Sequence, residues 1–208
     1  MRQLVLEISP QSEPTFEGFV TGRNDELVAR LKDLAAGQLA ETVFYLWGER
    51  GSGRSHLLGA TLRAAVHPRR LFIADDVDRL DEPAQIALFN RINEVREPAG
   101  EDRGTVLAAG SAPPAQLALR EDLKSRLAWG LVYQVRTLTD AEKATYLRDE
   151  AARRGLRITD EVVAYLLTHV RRDLPTLVSI LAHLDEYSLS RQRPLTLPLV
   201  REALGAMQ

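Results

Sequence analysis

The sequence predicts a doubly wound α/β layer on a parallel sheet, followed by an all-helical bundle. Three observations predict it. Short, continuously apolar segments alternate with helical patterns up to Leu138. A glycine-rich turn joins the first such segment to a helix. From Thr139 onward the strand-like segments stop and only helical patterns follow.

Taken in order, residues 1–15 hold two prolines, two serines and an alternating apolar stretch, which reads as a tethered arm. Asn24 to Ala36 is helical, with Leu27, Val28, Leu31 and Leu34 on one face and Gly37 as its stop. Thr42 to Trp47 is β-branched, aromatic and continuously apolar, the pattern of a strand buried on both faces of a parallel sheet. A helix is expected from Ser55 to about Val66. Arg70 to Ala74 is expected as a second buried strand, ending at Asp75 and Asp76. Pro83 to Glu97 is a helix with Ile86, Phe89, Ile92, Asn93 and Val95 recurring along it. Thr105 to Ala109 and Leu131 to Val135 complete the strands. Beyond them, helical patterns cover about 140–154, 160–170 and 174–190. Gly155 ends the first of these, Thr159 with Asp160 and Glu161 opens the second, and a short helix begins near Pro198. The expected organisation is an arm at 1–12, an α/β base at 13–137 and a helical bundle at 138–208.

Composition narrows the function classes. The 208 residues are 45% apolar, enough for a sizeable core. Lys and Arg number 27 against 29 Asp and Glu, a formal charge of −2, so no bulk electrostatic attraction to nucleic acid is expected. The absence of cysteine excludes disulfides, thiolate metal sites and cysteine nucleophiles. No apolar run approaches the ~18–20 residues that span a bilayer, and MRQLVLEISP is too short and interrupted for a signal peptide. A cytoplasmic protein without a membrane partner is expected.

Gly48 to Ser55 reads GERGSGRS, which matches the phosphate-loop pattern G-x-x-x-x-G-K-[ST] except that Arg54 replaces lysine. Gly48, Gly51 and Gly53 let the backbone turn tightly, so that its N–H groups can face phosphate oxygens. The following helix presents its positive end to the same anion. Arg50, Ser52 and His56 belong to the same turn, and Ser55 would ligate Mg²⁺ beside a nucleotide. A ligand-free βα turn is the plain alternative, but the strand before and the helix after the loop favour a nucleotide site. Lysine is a compact point charge, whereas guanidinium is planar and bulkier. Arg54 can still hold a diphosphate, often bidentately. The expectation is a site that binds nucleotide, ADP above all, better than it hydrolyses ATP.

RLFIADD is a hydrophobic strand ending in two acids. At that end of a parallel strand Asp75 would reach Mg²⁺ and Asp76 would polarise an attacking water. The plain alternative is that these acids, with Asp78, only begin the next segment.

TFEGFVTGRNDEL, YLWGERGSGRSHLL, FIADDVDRL, SRLAWGLVYQV and RRDLPTLVSIL occur in the order found in the DnaA branch of AAA+ proteins. The chain resembles, over nearly its whole length, the Hda type of regulatory proteins within that branch. The resemblance implies an AAA+ base with a helical lid. It places Phe19, Val20 and Gly22 near the adenine and Ser111 in the sensor 1 region. Arg172 matches the sensor 2 arginine, with Arg171 a one-residue rival. Arg126 in SRLAWGL matches the arginine finger, which points at a neighbouring subunit's nucleotide. Each has a bland rival: a turn before Pro113 for Ser111, a solvated helix arginine for Arg126. Trp129 reads as a packing residue. Only about 15 residues separate Ser55 from Leu71, where the family usually fits another strand and helix. The missing strand would lie at the sheet edge, so the central sheet is expected to survive its loss. The chain also ends after the lid, which implies a regulator and not an origin-binding initiator.

The resemblance extends to partners. Gln3 to Ile8 reads QLVLEI, similar to QL-x-L-x-[LF] peptides that dock in the bacterial sliding clamp, the β subunit of DNA polymerase III. Gln3 would hydrogen-bond at the rim while Leu4, Leu6 and Ile8 insert; an ordinary edge strand is the alternative. The implied function is negative regulation of replication initiation. An ADP-bound (or ATP-bound) protein would dock on the clamp and supply Arg126 in trans, so that DnaA-bound ATP is hydrolysed. It would activate a partner's chemistry and have little or none of its own. No sequence-specific DNA contact is expected, and homo-oligomers are compatible with the pattern. The rivals are a self-sufficient AAA+ ATPase, such as a helicase loader, and an adaptor without nucleotide.

Overall fold

The computed structural model describes residues 13–96, 104–170 and 173–206. They form two compact units, one spanning Glu13–Thr137 and the other beginning at Leu138.

The first unit opens with α1 (Asp25–Ala35), whose buried Leu27, Val28, Leu31 and Leu34 recur at helical spacing. Its acids Asp25 and Glu26 stand in the first turn and Lys32 in the last, each matching the helix dipole. Asn24, only 2% exposed, does not cap this helix. Its side-chain amide donates to the carbonyls of Thr21 and Arg136, and its oxygen accepts from the Arg136 amide at 2.8 Å. This buried amide fastens the segment before α1 to the chain leaving the sheet.

Four strands follow, with helices between them: β1 (Val43–Trp47), α2 (Arg54–Ala64), β2 (Leu71–Ala74), α3 (Glu82–Arg96), β3 (Thr105–Gly110), α4 (Glu121–Leu127) and β4 (Leu131–Gln134). The sheet is wholly parallel, in the order β2-β3-β1-β4. β1 lies between two neighbours, Val43 pairing with Val106 and Phe44 with Leu131. Its alternation serves two cores. Phe44 and Leu46 pack with α1 and α2, while Val43 and Tyr45 pack with Leu88, Ile92, Leu123 and Leu127 of α3 and α4. Burying both faces requires an unbroken apolar run, which VFYLW supplies.

Two expectations need correction. Arg70 to Ala74 is not a buried strand: β2 sits at the edge, none of its residues is fully buried, and Phe72 is 39% exposed. The short link from α2 leaves no chain for an outer neighbour, so β2 takes the edge that a further strand would otherwise occupy. The apolar run was read correctly as a strand, but a run cannot show whether its outer side is covered. In α3 the core face is Leu88, Ile92 and Val95, and Ile86 is 39% exposed.

The second unit is helical: α5 (Asp140–Arg153), α6 (Asp160–His169), α7 (Leu174–Arg191) and α8 (Leu197–Ala206). Thr139 and Glu142 form a capping box at α5, Thr159 caps α6, and Asp173 caps α7. Leu147, Val162, Leu166, Leu177, Leu181 and Val200 form its core. Glu150, 8% exposed, is paired with Arg153 and Arg154 and so carries its charge into the helix pack at reduced cost. No described helix is long and apolar enough to cross a membrane.

Candidate phosphate site and the Arg126 cluster

The loop from Gly48 to Gly53 leaves the carboxyl end of β1 and enters α2 at Arg54. A Cβ on Gly48 would lie 2.5 Å from the Val135 carbonyl oxygen, so only glycine lets the loop pass that close to the chain leaving β4. Gly53 has φ +96°, and a Cβ there would lie 2.6 Å from the Phe19 ring. The loop closes through the Ser52 amide, which donates to the Glu49 carbonyl at 3.1 Å. Arg50, Gly51 and Ser55 are exposed on this turn, while Ser52 is buried.

The segment before α1 covers the loop from the side. Phe19 stands against Gly53 and tilts over His56, with ring centroids 5.8 Å apart. His56 Nε2 lies 2.8 Å from the Thr15 carbonyl oxygen. Val20 is half-buried and Gly22 exposed, with φ +52°. Of the three residues assigned to the adenine side, Phe19 meets the loop assigned to phosphate.

The acidic strand end meets the same place. Asp75 is exposed and its Oδ1 accepts from the Asp76 amide at 2.8 Å. Asp76 adopts the left-handed conformation (φ 46°, ψ 46°), which aspartate tolerates better than most side chains. Its carboxylate pairs with Arg54 at 3.6 Å and with Arg79 at 3.4 Å. Arg54 is largely buried, with 11% of its side chain exposed. Its Nη1 and the Ser52 hydroxyl are buried and lack a hydrogen-bond partner among the described residues. Buried polar atoms of this kind are costly unless a ligand satisfies them. Together with the glycine-built turn and a helix N-terminus, they fit the oxygens of a nucleotide di- or triphosphate.

Ser111 is exposed just past β3, its amide donating to Asp78 Oδ1 at 3.0 Å. One residue on, the Ala112 carbonyl accepts from the buried Tyr45 hydroxyl at 2.8 Å. Burial first, and the Asp78 carboxylate second, push the Tyr45 phenol well above the ordinary tyrosine range, with Arg54 opposing. Tyr45 and Asp78 thus hold the loop after β3, and apart from the acid cluster in ADDVD no sequence signal marks either role. Asn24 was missed in the same way.

Arg126 stands elsewhere. It is near the C-terminal end of α4, whose negative end favours a cation. Its guanidinium carbon lies 3.4 Å from the centre of the Trp129 ring and 5.4 Å from that of Phe89. The Arg96 guanidinium carbon lies 3.8 Å from the same Trp129 centre. Two such groups cannot both stand that close on one face, so the indole is sandwiched between them. Arg126 Nε is buried and has no partner among the described residues. Trp129 itself is 47% exposed, so it packs between two guanidinium groups at the surface and not in the core. Gly130 then crosses the start of β1, where a Cβ would come within 1.8 Å of the Val43 carbonyl oxygen. The motif therefore ends at the amino end of β1, while the phosphate loop leaves its carboxyl end. At a rise of about 3.3 Å per residue, the span from Val43 to Gly48 is about 16 Å. The chain's own phosphate loop and Arg126 occupy opposite ends of the sheet.

Comparison with known proteins identifies the helical unit and the fold. A model of the Hda lid domain matches residues 140–204. A Haemophilus influenzae protein described only as uncharacterized is 31% identical over 231 residues, covering 98% of this chain and 99% of its own. The chain belongs to the Hda-like family. Domain III of the Thermotoga maritima replication initiation protein DnaA shares the fold, with a TM-score of 0.73 at 17% identity over 97% of this chain and 98% of that one. AMPPCP-bound DnaA from Aquifex aeolicus aligns with a TM-score of 0.66 at 21% identity, covering 86% of this chain and 68% of that chain.

In this Hda-like chain the structure brings Phe19 and Asp76 to the loop from Gly48 to His56, with Asp75 beside Asp76 and Ser111 just past β3, and sets Arg126 apart. Gln3, Leu4, Leu6, Ile8 and Arg172 lie outside the described residues.

Proposed function

We propose that this protein is an ADP-binding negative regulator of replication initiation that promotes hydrolysis of ATP bound to DnaA. The observation that carries the proposal is the placement of Arg126 at the far end of the sheet from the chain's own phosphate loop. A guanidinium so placed is remote from the chain's own phosphate loop, which supports a role toward a nucleotide held by another molecule. There it would neutralise charge developing on the γ-phosphate, an effect worth ~10³–10⁵ in rate for the arginine fingers of GTPases.

The chain's own site has a supporting role. Loop amides, Arg54 and the Ser52 hydroxyl would hold the diphosphate, and Phe19, Val20 and Gly22 would flank the base. The resemblance assigns the sensor 2 role to Arg172. Ser55 and Asp75 would hold Mg²⁺. The described residues contain no cluster of three His, Cys, Asp or Glu, so phosphate and water would complete the ion's shell. Turnover is disfavoured because the Asp76 carboxylate, the group that would polarise water, is paired with both Arg54 and Arg79. Residues Gln3 to Ile8 would attach the protein to the sliding clamp, bringing Arg126 to DnaA on DNA. The test is hydrolysis of DnaA-bound ATP in the presence of clamp and DNA. Wild-type protein should accelerate it and Arg126→Ala should not; equal acceleration by both rejects the proposal.

A further inference from the structure

Among the described residues, the Arg126 guanidinium is oriented by a ring and not by a hydrogen bond. Its carbon stands 3.4 Å above Trp129, a second ring, Phe89, lies at 5.4 Å, and Nε is buried without a partner among the described residues. A flexible arginine normally samples many rotamers. Stacking on an indole, the aromatic ring that attracts cations best, removes much of that freedom without consuming the guanidinium's donors. The terminal nitrogens can then remain available to an incoming anion. Arg96, 3.8 Å from the ring centre on the opposite face, fixes the indole in turn. The Gly130 crossing over Val43 anchors the backbone immediately after Trp129.

We infer that Trp129 is the positioning residue of Arg126: it pre-orients the guanidinium for a partner's phosphate, with Arg96 as the clamp on the ring's other face. This rests on the functional reading above and adds a residue to it. Half-exposure of the indole follows from the role, since the stack must lie at a surface that a second protein can approach. Near-perfect placement is worth much in such chemistry, where a shift of about 1 Å can cost up to ~100-fold in rate.

The experiment measures DnaA-bound ATP hydrolysis with clamp and DNA across a titration of the wild type, Trp129→Leu, Trp129→Phe and Arg126→Ala, each with its unfolding midpoint checked. Trp129→Leu should lower the maximal rate about tenfold or more while the half-saturating concentration stays within about twofold. Trp129→Phe, which keeps a cation-binding face, should recover most of the loss. In parallel, the Arg126 side-chain NMR resonances, identified by their disappearance in Arg126→Lys, should be displaced upfield by the indole and return toward ordinary values in Trp129→Leu. A wild-type maximum for Trp129→Leu, or a raised half-saturating concentration alone, overturns the positioning role while leaving Arg126 as the finger. An unaffected rate for Arg126→Ala overturns the functional reading and this role with it. Unshifted Arg126 resonances in the wild type overturn the stack itself, whatever the rates show.

Discussion

Tyr45→Phe tests how the sheet holds the loop that carries Ser111. The phenol is fully buried on β1 and its hydroxyl donates to the Ala112 carbonyl at 2.8 Å. Phenylalanine removes the donor and takes away the phenol bond to the part-buried Ala112 carbonyl, at a cost of about 1–3 kcal/mol. For a chain of this size about 2 kcal/mol lowers the unfolding midpoint by roughly 4–8 °C. The pH dependence gives a second, sharper signature. Burial raises the Tyr45 pKa in the folded protein above its ordinary value of 10.0. Its contribution is therefore complete below that value and is lost as pH rises, because the unfolded chain releases a proton that the folded chain keeps. One such proton corresponds to about 1.4 kcal/mol per pH unit. The gap between wild type and Tyr45→Phe should be full at pH 7.5 and should close within roughly 1.5 units above pH 10. Urea unfolding followed by circular dichroism across this pH range measures it. A gap that stays constant with pH refutes the claim that a buried neutral phenol fastens this loop.

Other outcomes follow from the same geometry. Arg54→Ala should weaken ADP binding by about tenfold or more, the loss of a charged hydrogen-bonding group of ~1.5–3 kcal/mol, as read by calorimetry; unchanged affinity would mean that the buried Nη1 does not face phosphate. Removing residues 1–8 should abolish binding to the immobilised sliding clamp while leaving the unfolding midpoint unchanged, and retained clamp affinity would reassign the docking surface. Thr139→Ala should destabilise the helical unit by about 1 kcal/mol through loss of the capping box at α5, measured by denaturant titration.

Much of this was legible because the physics is local. VFYLW, followed by GERGSGRS and a helix, specifies strand, turn and helix from residue type alone, and the phosphate loop lies where that order requires. The cap at Thr159 was equally readable. The edge position of β2 was legible as a shortened link but not as a burial state, since an apolar strand looks the same whether one neighbour or two flank it. Asn24, Tyr45 and Asp78 were silent because each acts on a partner distant in sequence: Arg136, Ala112 and Ser111. What Trp129 packs against was silent for a related reason: Arg96, on one of its faces, is distant in sequence.

The central claim concerns one cation and another molecule's nucleotide. Single-turnover decay of labelled ATP preloaded on DnaA, followed with clamp and DNA and with either wild-type protein or Arg126→Ala, measures it most directly. The account predicts a fall in the rate constant of at least about 100-fold, toward that of DnaA alone. Decay at the wild-type rate with Arg126→Ala would contradict it.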